Sequence, residues 1–242
     1  MPIYDIAGLK VRIDGCKGRT LKQAVPYLSS DQSESENADI VINITEKQIN
    51  SAIAEHPELN AEDWDYMLSG SSFYTQLTKY GGILLHSSCV VVDGVAYAFS
   101  ADSGTGKSTH TSLWLKHFKD RAHMLNDDKP ALRMIDGRAY ACGTPWSGKH
   151  DYSTPETAPL GAICFIERGD ENRIEKIAGA NAIFDIFAQT VRNLNEEAMN
   201  NVFDILDEML KVVPIYRLYC NISDEAVEVA YNAMKRSKDE FE

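Results

Sequence analysis

The sequence has no excess of positive charge, no long apolar run, no paired cysteines and no internal repeat, and each absence narrows what the chain can be. Its 36 acidic residues outnumber 24 basic ones, a net charge of −12. With no Lys/Arg cluster to offset that balance, nucleic acid is not an expected partner, because such binding draws on a basic face. No apolar stretch approaches the ~20 residues needed to span a bilayer, and Met1-Pro2-Ile3-Tyr4-Asp5 carries no basic and apolar leader. The expectation is a soluble, cytoplasmic protein with no membrane partner. The five cysteines, Cys16, Cys89, Cys142, Cys164 and Cys220, are odd in number and scattered without metal-ligand spacing. They are expected as small buried hydrophobes in a reducing compartment.

What is present points to a mixed α/β fold. The 44% hydrophobic content over 242 residues supports a full core. In the first 72 residues Leu9-Lys10-Val11-Arg12-Ile13 and Asp39-Ile40-Val41-Ile42-Asn43-Ile44 read as strands, separated by the low-complexity polar stretch 29–37. We expect residues 1–72 to form a small α/β attachment and residues 73–242 the main domain. In the latter, Asp93-Gly94 and Asp136-Gly137 each sit between β-prone runs, a tight-hairpin signal. A Gly, Pro and Ser-rich loop from Gly143 to Pro159 precedes a strand over Ala162–Glu167. Ile183, Phe184, Phe187 and Val191, then Val202, Ile205, Leu206 and Met209, recur at helical spacing around a strand at 212–218, and a last helix starts near Asp224.

Chemistry concentrates between residues 101 and 109. Ala101-Asp102-Ser103-Gly104-Thr105-Gly106-Lys107-Ser108-Thr109 lies between the β-prone Val95–Phe99 and a helix-spaced run ending at Phe118, the context of a phosphate-binding loop. Gly104 and Gly106 allow the backbone to turn its amides toward phosphate oxygens. The helix start adds its positive end, Lys107 a mobile cation and Ser108 a hydroxyl for Mg²⁺. ATP and Mg²⁺ are therefore expected, with Mn²⁺ an equivalent ion. Downstream, Leu125-Asn126-Asp127-Asp128 ends a second strand with two adjacent carboxylates, which favour a cation or proton between them.

This loop leaves an antiparallel hairpin, with His86 placed 21 residues before Lys107 and the Asp pair one helix and one strand after it. In that arrangement the chain from about Phe73 to Glu167 resembles HPr kinase/phosphorylase and the ATP-binding half of phosphoenolpyruvate carboxykinase, and is most similar to small HPr-kinase-like proteins. The resemblance implies the nucleotide-binding fold of the HPr kinase C-terminal domain, the loop 102–109 on the triphosphate, and Ser108 with Asp128 on the metal. It places Asp127 with His86 at the attacking hydroxyl. Met67 stands where the carboxykinase would carry a metal-binding Lys, so oxaloacetate decarboxylation is not expected, and no long substrate-capturing segment marks HPr as acceptor.

The expected activity is a kinase using His86, Lys107 and Asp127 to phosphorylate a hydroxyl of a protein, a peptide or a small alcohol. A phosphorylase, a pyrophosphate-dependent kinase and an ATP-sensing module stay open, as does oligomerisation. The acceptor is expected at Trp146, Ser147, Gly148, Lys149 and His150, where a polar and aromatic loop could carry it, with Trp146 offering a flat face and Lys149 and His150 turned to the γ-phosphate; a plain structural turn with Trp146 in the core is the competing reading. His110 and His117 are expected on the helix surface. Arg168 and Arg192 could each clamp a transferring phosphate, and nothing in the sequence selects either over a surface ion pair.

Overall fold

The computed structural model describes residues 2–33, 37–102, 104–190 and 194–241. Its sheets grow from two-residue hairpins. Strands β1 (Ile3–Ile6) and β2 (Leu9–Asp14) join at Ala7-Gly8. After α1 (Gly18–Ala24), β3 (Ile40–Asn43) pairs parallel to β2, closing a three-stranded sheet. Helix α2 (Glu46–Glu55) starts in a Thr45/Gln48 capping box, and α3 (Ala61–Leu77) is capped by Asn60, the oxygen acceptors that free helix-start amides require.

Strand β4 (Gly82–Leu84) leads into the hairpin β5 (Ser87–Val92) and β6 (Val95–Ser100), then α4 (Lys107–Phe118) and β7 (Ala122–Asn126). A further hairpin joins β8 (Ala131–Ile135) to β9 (Arg138–Cys142). Both expected turns are present: Asp93 and Gly94 have φ of 50° and 80°, Asp136 and Gly137 of 50° and 74°, the pair of left-handed residues that matches strand twist. Strands β10 (Thr157–Arg168) and β11 (Arg173–Ile177), helices α5 (Gly179–Ala188) and α6 (Glu196–Val212), β12 (Ile215–Cys220) and α7 (Asp224–Met234) complete the chain. Val191 and Arg192 lie outside the described residues.

The expected loop over 143–159 is shorter, because β10 already begins at Thr157. Its first residues pair antiparallel with β9 and its later ones parallel with β6 and β12, the register slipping at Gly161. One strand thus belongs to both halves of a nine-stranded mixed sheet. Strands β6, β7, β10 and β12 all run the same way, with β5 antiparallel between β6 and β7. Their carboxyl ends, together with the start of β5, therefore meet at one edge.

Both faces of this sheet are covered. Val90, Val92, Tyr97 and Phe99 pack toward α4 and α7, while Cys89, Val91, Ala96 and Ala98 pack toward α5 and α6, which is why β5 and β6 read as unbroken apolar runs. The boundary expected between residues 72 and 73 falls inside α3. Phe73, Tyr74 and Leu77 of that helix share a core with Ile6, Val11 and Ile42 on one side and Leu84, Ala131 and Cys142 on the other. All five cysteines are buried. Among the described residues no helix is long and apolar enough to cross a membrane.

Candidate functional site

The shared edge collects the loop after β6, Asp127-Asp128 after β7, Arg168 at the end of β10 and His86 just before β5. Gly104 and Gly106 have φ of 79° and 126°, a region L side chains rarely enter. Among the described residues, chain neighbours aside, no atom lies within 4 Å of where their Cβ would stand, so it is backbone conformation that calls for glycine here, and the space on that side of the loop is open. Thr105 donates its amide to the Asp102 carbonyl at 3.1 Å. Helix α4 starts after Gly106 without a capping side chain, leaving the amides of Lys107, Ser108 and Thr109 outside its hydrogen-bond ladder. Ser103 lies outside the described residues.

Lys107 folds back, donating Nζ to the Ala101 carbonyl at 2.9 Å. Burial lowers its pKa, and the nearby charges of Asp128, Asp102 and Asp127 oppose that shift. Arg168 donates to the Gly104 carbonyl at 2.6 Å: the end of β10 brings this guanidinium to the loop.

The two carboxylates have different partners, and the expected pairing is exchanged. Imidazole Nε2 of His86 stands 3.3 Å from Oδ1 of Asp128, not against Asp127. Lys129 forms an ion pair with the other Asp128 oxygen. Burial alone would raise the Asp128 carboxyl, but hydrogen bonds and charge from His86 and Lys129 outweigh it and hold the group below its ordinary value. Asp127 instead accepts from Ser88 Oγ at 2.6 Å, and Ser88 Oγ is 2.8 Å from Thr111 Oγ1 on α4. Asp127 also lines a cavity of about 380 Å³ with Ser108, His150 and Tyr152. The exchange has a simple cause: alternate residues at a strand end point to opposite sides, and α4 lies on the Asp127 side.

Gln189, which closes α5, was not singled out by the sequence. Its carbonyl accepts from the His86 amide at 2.7 Å and its Oε1 lies 3.1 Å from His86 Nδ1. Nothing local marks it, since 103 residues separate the partners. Ser88, Thr111 and Lys129 carried faint signals: a hydroxyl opening an apolar strand, a hydroxyl one turn beyond Lys107, and a cation directly after the Asp pair.

The loop expected to hold the acceptor divides. Trp146 is fully buried, stacked on Phe73 at 4.8 Å with Nε1 3.2 Å from Ser69 Oγ. It therefore offers no face to a substrate, because the core shared with α3 takes the whole indole. Ser147 is buried too, 3.2 Å from Asp151. Lys149 lines a different cavity, with Arg19, Lys22, Gln23 and Asp151 beside α1, instead of turning to the loop. Gly148 and His150 do reach the site. Gly148 is clasped by Tyr66 OH and by the Gln23 amide, each at 2.9 Å, and a Cβ there would stand 3.2 Å from that of Asp128. His110 is likewise not on the surface: it is 3% exposed and accepts from Trp114 Nε1 at 2.9 Å, whereas His117 is exposed as expected.

No family model matches the sequence, and no curated protein matches it. A solved structure of the Hpr(Ser) kinase/phosphatase from Coxiella burnetii aligns with a TM-score of 0.36 and 9% identity, over 62% of this chain and 95% of that one. At that degree of likeness the function has to be read from the residues themselves.

Proposed function

We propose that the protein is an ATP- and Mg²⁺-dependent kinase that transfers the γ-phosphoryl group to a hydroxyl acceptor. The observation that carries this reading is the division of labour between two neighbouring carboxylates, Asp127 beside Ser108 and Asp128 against His86. A module that only senses nucleotide needs the loop and one metal ligand; a second carboxylate oriented by an imidazole, itself tied to Gln189, is what proton removal from an attacking hydroxyl requires.

The residues fit the groups they would hold. The open space beside the glycine loop, the uncapped start of α4 and the retracted Lys107 suit a polyphosphate. Ser108 and Asp127 supply hard oxygen ligands. Among the described residues no group of three or more His, Cys, Asp or Glu converges on a metal position, and Mg²⁺ needs no such cage when phosphates complete its shell. When bound, Mg²⁺ contributes charge neutralisation at the phosphate oxygens.

Asp128 takes the acceptor proton as the hydroxyl oxygen bonds to phosphorus, and the bridging oxygen leaves with its electron pair on ADP. His86 fixes the carboxylate's orientation, and Lys107 and the loop amides hold the transferred group in line. Positioning of this kind carries most of the work in phosphoryl transfer. In calorimetry with a non-hydrolysable ATP analogue and Mg²⁺, Lys107→Ala is expected to weaken binding roughly tenfold to a hundredfold, the worth of a charged hydrogen bond. Unchanged affinity would remove the nucleotide site.

A further inference from the structure

The helices around the three-stranded sheet come close to Asp128. Lys129, which pairs with Asp128, has its ammonium 5.4 Å from the centre of the Tyr66 ring on α3, and the Arg19 guanidinium of α1 stands 4.3 Å from the same ring. Gly148, packed against Asp128, gives its carbonyl to Gln23 of α1. The next residue, Lys149, enters a cavity of about 410 Å³ with Arg19, Lys22 and Gln23. A second cavity, of about 440 Å³, lies over the start of α1, with Ile49 of α2 and Ala61 of α3 as apolar walls. The two cavities share Gly18 and Glu62. Gly18 has φ of 54°, and a Cβ there would come within 2.7 Å of the Glu62 carboxylate, so a side chain at this position would fill the junction. Joined there, the cavities form a trench that leads from Gly148 to Ile49.

The carboxylates of this trench are engaged, and two of its cations are not. Glu62 accepts from the Arg19 amide at 2.8 Å, and Asp65 from the Lys17 amide at 3.2 Å and Thr20 Oγ1 at 2.7 Å. Asp151 accepts from Ser147 at 3.2 Å, and Glu46 pairs with Lys17 at 3.3 Å. The ammonium groups of Lys22 and Lys149, both exposed, form no ion pair among the described residues. Two atoms of the same wall also lack partners among the described residues: Gln23 Oε1, on a side chain only 3% exposed, and Arg19 Nε. The first can only accept and the second only donate. That pair is the complement of a peptide unit, which carries one donor and one acceptor, and an Asp or Glu side chain carries the charge that Lys22 and Lys149 call for. A small alcohol at Asp128 would leave both cavities empty.

We propose that the trench binds an extended acidic peptide, so that the acceptor hydroxyl belongs to a Ser or Thr flanked by an Asp or Glu whose carboxylate lies at Lys22 and Lys149. An apolar side chain of the same peptide reaches Ile49 and Ala61. The inference rests on the kinase reading and names its acceptor. The step keeps its balance: the peptide hydroxyl oxygen bonds to phosphorus, its proton passes to Asp128, and the bridging oxygen leaves with its electron pair on ADP. Main-chain groups hold a peptide bound in this way, and pockets for its side chains select it. The three-stranded sheet and its helices thereby acquire a task of their own, the choice of substrate, while the nine-stranded sheet carries the chemistry.

The test is transfer of labelled phosphate from Mg²⁺-ATP, by the whole chain, to a positional-scanning library of serine peptides, with free serine and glycerol as small acceptors. Wild-type protein is expected to favour Asp or Glu over Lys about tenfold at a position flanking the serine, and an apolar residue at a further position. The double variant Lys22→Glu, Lys149→Glu alters exposed side chains only. It is expected to invert the charge preference, losing acidic peptides about tenfold and gaining those that carry Lys. Damage to the fold would lower all peptides alike and would not exchange one charge for the other. A library without acidic preference, a variant that keeps the wild-type preference, or transfer confined to serine or glycerol would overturn the peptide trench and leave the kinase standing. Wild-type protein that fails to bind Mg²⁺-ATP in calorimetry would overturn the kinase reading, and this inference with it.

Discussion

Asp128→Asn is expected to lower phosphoryl transfer by about 10²- to 10⁴-fold, the usual worth of a general base, while leaving Mg²⁺-nucleotide affinity largely intact. Asp127→Asn is expected to do the reverse, weakening metal-dependent nucleotide binding first. The difference follows from partners: Asp128 is bonded to His86 and Lys129, and Asp127 shares its cavity with Ser108. Only a group acting selectively in the transition state lowers turnover without lowering binding. Calorimetry for affinity and ADP release for turnover separate the two effects. If Asp128→Asn instead lost metal-dependent binding and kept its turnover at saturation, the assignment of roles would have to be inverted. If neither variant changed either quantity, the pair would be a turn before Pro130 and no more.

The largest loss of stability is expected from Trp146→Ala, at about 3–5 kcal/mol. Its indole is fully buried, stacked on Phe73 and set edge-on to Tyr74. Gly70 passes so close that a Cβ there would come within 2.9 Å of the ring. Such a packed site collapses poorly when emptied. Chemical denaturation measures the loss directly; a change within about 0.5 kcal/mol, the range of surface substitutions, would mean the ring is not where the core places it. Gly148, two residues on, is positioned against Asp128 by Tyr66 of the same helix, so folded variant protein is also expected to show reduced turnover.

Signals that depend on neighbours in sequence were legible. The Asp-Gly turns fixed two hairpins, because type I′ geometry needs two left-handed residues in a row, and the glycine loop announced itself through the strand and helix around it. The third hairpin turns at Ala7-Gly8, with φ of 54° and 73°, and alanine is no signal for a left-handed position. Features set by packing across the chain were not legible. Which Asp meets His86 depends on the side taken by α4. Trp146 goes into the core because α3 presents Gly70 and Phe73 to it, and Lys149 turns away because Gln23 and Tyr66 clasp Gly148. His110 is buried because α4 lies flat on the sheet through Trp114 and Phe118, whereas its helical position alone leaves either face open. Helix α3 runs through the boundary expected at residue 72 for the same reason, and the core it builds belongs to both sides.

The double membership of β10 bears on how the molecule assembles. The two hairpins around the site close on contacts a few residues apart, but β6 meets β10 only across about sixty-five residues, as at Cys164 and Phe99, and β10 meets β12 across about fifty, as at Ile163 and Ile215. Pairings of that span form late, since their loop entropy is lost before the contacts reward it. Until β10 docks, Arg168 cannot reach the loop carbonyls. On the proposed kinase reading, competence to hold nucleotide is therefore among the last properties the chain acquires. On that reading a bound nucleotide acts mainly by slowing the departure of β10, as a kinetic lock on the finished sheet and not as a guide to its construction.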